Sequence, residues 1–88
     1  MDYISGSGQD QQFIEMEKKR VSSEIVGQLL ELRKAKKMTQ QQIADYTGIK
    51  RPNIARVEGQ HYTPTLDVLI RIADSMGMRL DIRLVEKE

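Results

Sequence analysis

The chain has 88 residues, 31% of them charged, and a formal net charge of +1 at pH 7. This length allows one small domain with a modest core. The absence of cysteine excludes disulfides and thiolate zinc sites, and a lone histidine, His61, cannot form a metal site by itself. No apolar run approaches membrane-spanning length, and residues 1–8 lack the hydrophobic core of a signal peptide. We therefore expect a cytoplasmic protein that needs no metal or other cofactor.

The charges are unevenly distributed along the chain. Residues 33–63 carry seven basic and two acidic side chains, a net charge of +5, whereas the remainder carries seven basic and eleven acidic, a net charge of −4. A solvated face is the ordinary explanation of a charge run, but acidic flanks around a basic centre favour a polyanion-binding surface. Nucleic acid is the favoured partner.

The N-terminal part predicts a flexible tail followed by a short helix. Residues 1–9 include a Ser-Gly-Ser-Gly stretch with little that can pack, which is typical of a flexible tail. Residues 10–22 indicate an added helix with Phe13 and Ile14 as its anchors. The serine pair that follows offers an N-cap for the next helix, which opens the main domain, residues 23–77.

The first helix of this domain is predicted over residues 24–36. Ile25, Leu29 and Leu32 recur there at i, i+4 and i+7, the spacing of one buried helical face. Val26 and Leu30 lie on an adjacent stripe that can serve a second contact.

Residues 39–58 predict two short helices joined by one tight turn. The apolar positions that face inward across the two helices are Ile43, Ala44, Ile54 and Val57. Ala44 is small enough for a close helix crossing, and Gly48 tolerates the positive φ that the turn requires. Lys50, Arg51, Asn53 and Arg56 are then left pointing outward.

This stretch closely resembles the Cro/C1-type (XRE) helix-turn-helix family. Thr39-Gln40 opens the first helix, Ala44 and Gly48 lie four residues apart, and an Ile-x-x-Val-Glu run ends at Glu58, as in the family pattern. The resemblance extends from about residue 29 to residue 77. It implies a mainly α, lambda-repressor-like domain of the five-helix type that binds double-stranded DNA; a helical hairpin without a ligand is the alternative.

The resemblance also implies roles for individual residues. The base-reading positions are Arg51, Pro52, Ala55 and Arg56. The positions that contact the DNA backbone are Thr39, Gln40, Lys37, Lys50, Asn53 and His61. An ion pair is implied between Arg33 and Glu58. The family commonly has glycine where this chain has Lys37 and Gln60, at the ends of two helices.

A last helix and a strand are predicted after the motif. Thr65 reads as an N-cap, the helix runs to about Met76, and Gly77 is its C′ residue. Its inward positions are Leu66, Leu69, either Ile72 or Ala73, and Met76. Residues 78–88 form the C-terminal segment, in which Leu80, Ile82 and Leu84 alternate with polar residues, the pattern of a half-buried strand.

The predicted strand has no second strand in the chain to pair with. The simplest partner is the same segment of a second copy, which gives a homodimer about a twofold axis that reads a palindromic operator. A frayed tail is the alternative.

Function follows from these features. Neither a catalytic triad, a phosphate-cradling glycine loop nor a metal-ligand cluster is evident, so we expect no enzyme activity. The added helix and the tail after the last helix resemble HigA-type antitoxins of toxin–antitoxin modules. This resemblance implies an antitoxin that binds a toxin protein and represses its own operon; the alternative is a stand-alone phage-like repressor.

Overall fold

The computed structural model describes residues 8–87, with side chains from residue 10 onward. These residues form four α-helices and no β-strand: α1 (Gly8–Ala35), α2 (Gln40–Thr47), α3 (Arg51–Glu58) and α4 (Leu66–Ser75). The mainly helical class is confirmed, whereas the five-helix arrangement with a separate added helix and a strand is not formed. Most of the predicted tail, residues 1–9, lies outside the described residues, but its last two residues already belong to α1.

α1 is one continuous helix of 28 residues where the sequence predicts two helices divided at a serine pair. Arg20 pairs with Glu17 at 2.9 Å and with Glu24 at 3.2 Å, so its contacts cross the predicted break. The hydrogen bond from Arg20 lowers the pKa of the Glu17 carboxyl. The Ser23 hydroxyl donates to the Gln60 side chain at 2.8 Å instead of capping a helix. The predicted break is wrong because a serine caps only where the backbone leaves the helix.

The C-terminal half of α1 supplies its contacts with the core. Val26 is 1% exposed, while Ile25, Leu29 and Leu32 are only partly buried against the same core. Val26 of the adjacent stripe is therefore more deeply buried than the predicted inner face, whereas Leu30 of the same stripe is only partly buried.

The N-terminal half of α1 leaves its apolar side chains largely in solvent. Phe13 and Ile14 are 46% and 49% exposed, and Met16 is 70% exposed. Phe13 and Ile14 are therefore not the predicted anchors. The Nζ atom of Lys87 lies 4.8 Å from the centroid of the Phe13 ring, so the end of the chain returns to this half of α1.

α2 and α3 are the two helices of the predicted motif, and local signals fix their ends. The Thr39 hydroxyl accepts from the Gln42 N–H, and the Gln42 side chain accepts from the Thr39 N–H, which completes a capping box. Gly48 has φ 77° and ends α2 through a hydrogen bond from its N–H to the Ala44 carbonyl. Pro52 lies in the first turn of α3, where its missing N–H has no intrahelical role.

Two other helices end on residues that are not glycine. Lys37 follows α1 with φ 57°, and Gln60 follows α3 with φ 57°. The Lys37 N–H donates to Lys34 and the Met38 N–H to Arg33, both at 3.0 Å, which is the pair of bonds of a Schellman motif. A non-glycine residue in this left-handed region costs about 1 kcal/mol.

α4 has the predicted N-cap and C′ residue. The Thr65 hydroxyl accepts from the Val68 N–H, and Gly77 follows the helix with φ 77°. Leu66 is 55% exposed, so its predicted inward position is wrong. As the first residue of the helix, it lies at the edge of the core.

The core is built from all four helices. α2 packs against α3 and α4, and α1 packs against α3 and α4. The residues whose side chains are buried in it are Val26, Ile43, Ala44, Ile54, Val57, Leu69, Ile72, Ala73 and Met76. The predicted inner faces of α2 and α3 are therefore confirmed.

The C-terminal segment forms no strand within the described chain. Leu80 is half-buried against the core, Ile82 is 56% exposed and Leu84 is fully exposed. The predicted inward face is thus covered only at its first position. No β-ladder forms because a strand needs a neighbouring strand, and residues 8–87 of a single chain provide none.

Candidate nucleic-acid interface

Arg33 and Glu58 form a two-bonded ion pair between α1 and the last residue of α3. Arg33 Nε lies 2.6 Å from Glu58 Oε2, and Arg33 Nη2 lies 2.9 Å from Glu58 Oε1. The two side chains are only 14% and 15% exposed. The parallel geometry matches the guanidinium fork to the carboxylate, which gives direction as well as attraction.

Two further hydrogen bonds extend this pair to the start of α2. Arg33 Nη1 donates to the Met38 carbonyl at 2.7 Å, and Gln40 Nε2 donates to Glu58 Oε1 at 2.8 Å. Arg51 also reaches the Gln40 amide oxygen, at 3.4 Å. The network therefore joins α1, the loop before α2, and both helices of the motif.

The outward face of α3 contains the predicted base-reading residues. Arg51, Pro52 and Arg56 are exposed and Ala55 is half-buried, while Ile54 and Val57 hold the opposite face in the core. The polar face of α3 is therefore exposed, while its apolar face is anchored in the core. Whether these side chains read bases stays a prediction.

Arg56 is held by an aromatic ring that the sequence did not predict. Its guanidinium carbon lies 4.8 Å from the centroid of the Tyr62 ring. An exposed contact of this kind contributes about 0.5–1 kcal/mol. The contact uses none of the guanidinium N–H groups in a hydrogen bond to another side chain, so they stay available for an acceptor.

The predicted backbone-contacting residues at the start of α2 already have structural partners. The Thr39 hydroxyl accepts a hydrogen bond in the capping box, although its own O–H is a further donor. The Gln40 side chain is engaged by Glu58 and Arg51. A phosphate contact by Gln40 would therefore use its backbone N–H, one of the unpaired donors at a helix N-terminus.

The remaining predicted backbone-contacting residues are exposed and lie on both sides of the motif. Lys37 precedes α2, Lys50 and Asn53 lie at the start of α3, and His61 follows α3. Of the two acidic groups in this part of the chain, Glu58 is paired with Arg33, and Asp45 is an exposed carboxylate that accepts a hydrogen bond from the Gln41 amide at 2.8 Å. Asp45 is thus the one carboxylate of residues 33–63 without an ion pair, against six basic side chains other than Arg33, so this part of the chain stays positive.

Residues 8–87 contain neither a metal-binding cluster nor a membrane-spanning helix. In this part of the chain no three His, Cys, Asp or Glu side chains come together as a metal site. None of the helices described here combines the length and the hydrophobicity that crossing a membrane requires.

Comparison with known proteins agrees with this geometry. The Helix-turn-helix family model matches residues 29–82, which is more than half of the chain. The chain belongs to this family, and the Cro/C1-type resemblance is confirmed at that level. A DNA-binding regulator of transcription is the function that the membership indicates. No curated protein and no solved structure matches the chain.

The ion pair generates a stability prediction. Glu58→Ala is expected to lower the free energy of unfolding by about 3 kcal/mol, because Arg33 is then left mostly buried without its counter-charge. The matched control is Glu31→Ala, which removes an exposed carboxylate from α1 and is expected to change stability by less than about 0.5 kcal/mol. Urea unfolding at equal protein concentrations measures both.

A double variant separates the lost charge balance from lost packing. Arg33→Met combined with Glu58→Met leaves no unpaired charge and is expected to recover part of the loss. A Glu58→Ala protein as stable as the Glu31→Ala control would contradict the importance of the pair.

Proposed function

We propose that this protein is a cytoplasmic, sequence-specific DNA-binding regulator of transcription that acts without catalysis. The observation that carries the proposal is the α2–α3 pair, fixed by the Arg33–Glu58 network, with an exposed basic surface on α3. A polyanion needs such a surface, and a rigid pair of helices lets it present the same side chains each time it binds.

The proposed mechanism divides positioning from reading. The first residues of α3 enter the major groove, where Arg51 and Arg56 have the fork geometry that matches guanine O6 and N7. Pro52 and Ala55 offer only apolar contact, which suits a thymine methyl. Backbone N–H groups at the start of α2, together with flanking cations such as Lys37 and Lys50, hold the phosphates and fix the register.

Removing the two arginines tests this proposal. Arg51→Gln combined with Arg56→Gln is expected to abolish specific binding, since each bidentate contact contributes about 1–3 kcal/mol of discrimination. Wild-type affinity should also fall steeply with rising salt as counterions are released. Fluorescence anisotropy on duplexes selected from a random library measures both effects.

The matched control loses the same two charges elsewhere. Lys18→Gln combined with Arg71→Gln removes cations that are already paired with Glu15 and Asp67 on the surface. Its binding should stay near wild type. Equal losses in both double variants, or binding that ignores salt, would count against a specific interface on α3.

The C-terminal segment supports a homodimer. Leu84 and Val85 are 101% and 88% exposed, and their backbone has no ladder partner among the described residues. Alternating apolar side chains on an unpaired extended segment suit an antiparallel ribbon with a second copy. Such a dimer brings two α3 helices to half-sites about 34 Å apart, which lengthens the DNA sequence that is read.

A charge in the middle of this segment tests the dimer. Leu84→Glu is expected to give a monomer with unchanged helix content, because the side chain has no contact to lose within its own chain. Leu84→Ile keeps the apolar character and should remain dimeric. Light scattering measures the mass, and deletion of residues 79–88 should give the same monomer, although it also removes the half-buried Leu80. If the Leu84→Glu protein is still a dimer, the dimer interface does not lie on the C-terminal segment.

An antitoxin role is the second part of the proposal, and the exposed half of α1 favours it over a stand-alone repressor. An apolar groove of 390 Å³ runs between this half of α1, the start of α4 and the C-terminal segment. Side chains that line it include Ile14, Val21, Ile25, Leu66, Leu69 and Ile82. A groove of this composition suits an apolar segment of another protein.

Co-expression with the product of the neighbouring gene tests the antitoxin role. We expect a stable complex that is lost in the double variant Ile14→Gln, Val21→Gln, because both side chains line the groove. Tyr46 lies on α2, away from the groove, and is 74% exposed. Tyr46→Gln is therefore the control variant, and it should retain the complex. If the product of the neighbouring gene neither binds this protein nor inhibits growth, the antitoxin role is excluded and the stand-alone repressor is the remaining function.

A further inference from the structure

A polar pocket, separate from the apolar groove, lies where α1 meets the loop that follows α3. Its volume is 330 Å³. The residues that line it are Lys19, Ser22, Ser23, Gln60, His61, Tyr62 and Thr63. None of them is acidic, and together they offer an ammonium group, several hydroxyls and an imidazole. This set of groups suits an anion.

Lys19 is the cation in this lining, and it is the unpaired member of a run of three. Lys18 pairs with Glu15 at 3.2 Å, and Arg20 pairs with Glu17 at 2.9 Å. Lys19 has neither an ion pair nor a side-chain hydrogen bond within residues 10–87. Its ammonium group is therefore free to bind an anion without first breaking a contact.

The pocket is held in place by contacts between distant parts of the chain. The Ser23 hydroxyl donates to Gln60 Oε1 at 2.8 Å, which fixes α1 against the loop. The His61 ring lies so close to Gly59 that a Cβ there would be 2.8 Å from it. These contacts orient the lining before any ligand arrives.

We propose that this pocket binds a phosphate of the DNA backbone, so that α1 extends the DNA contact beyond the helix-turn-helix motif. The inference rests on the proposed DNA-binding function and adds the contact by Lys19, Ser22 and their neighbours. The family model begins at residue 29, so the α1 side of the pocket lies outside the matched region.

The position of the pocket favours DNA over a free anion. Gln60 and His61 directly follow α3, and Tyr62 stacks against Arg56 of that helix. When the N-terminal residues of a recognition helix are nearest the bases, its C-terminal end points toward the rim of the groove. The rim is formed by the sugar-phosphate strands, so a phosphate lies next to this loop.

Lys19→Gln in the full chain tests the proposal. Its affinity for a labelled duplex of fixed sequence should fall about 3- to 10-fold at low salt. The slope of log affinity against log salt should become shallower by roughly 0.9, which is the change expected when one phosphate contact is lost. Lys18→Gln removes the adjacent but paired cation and should leave both quantities unchanged. Ser22→Asp places a carboxylate in the pocket and should weaken binding at least as much as Lys19→Gln.

The outcomes separate this inference from the function on which it rests. A wild-type chain that binds no duplex overturns both. A wild-type chain that binds, with Lys19→Gln matching Lys18→Gln, overturns the phosphate pocket alone. A titration with inorganic phosphate followed by amide NMR distinguishes the source of the anion. Shifts at Ser22 and His61, together with unchanged DNA binding by Lys19→Gln, would assign the pocket to a free anion and overturn the proposal.

Discussion

The ion pair between Arg33 and Glu58 is the constraint on which the rest of the structure depends. It connects the last turn of α1 to the last residue of α3, and through Gln40 and Met38 it also fixes where α2 begins. A nearly buried pair loses much hydration, so its net contribution to stability is small compared with the cost of removing one partner. Its four hydrogen bonds instead specify a single arrangement of the two helices that carry the interface.

Two helix ends beside the proposed interface have a strained backbone conformation. Four described positions have positive φ, and two of them, Lys37 and Gln60, are not glycine. Glycine would relieve the strain at both, as Gly48 and Gly77 do elsewhere. Each of these residues has a side chain that glycine lacks. Gln60 uses its side chain to accept the hydrogen bond from Ser23, and Lys37 places an exposed cation just before α2. Strain of this kind is common where a side chain serves a site.

Much of the motif could be predicted from the sequence because its signals are local. Thr39 and Thr65 cap the starts of α2 and α4, and Gly48 ends α2, all through neighbours within four residues, so these helix ends lie where the pattern predicts. The continuity of α1 could not be predicted, because the Ser23 hydroxyl binds a residue 37 positions away. The contact of Arg56 with Tyr62 depends in the same way on how the loop folds back. The C-terminal segment has the alternation of a strand but meets no second strand among residues 8–87, so its sequence pattern alone did not predict its conformation.

The continuity of α1 connects the two proposed surfaces of the protein. Ser22 of α1 and Thr63 line both the apolar groove proposed for a protein partner and the polar pocket proposed for a phosphate. A protein bound in the groove would therefore lie against one wall of the pocket and restrict the access of a DNA phosphate to it. Binding of either ligand would then weaken binding of the other by the same factor, because linkage between two sites is reciprocal. On this reading α1 is more than a support for the motif: its length brings a protein partner within reach of the DNA contact without any change of fold.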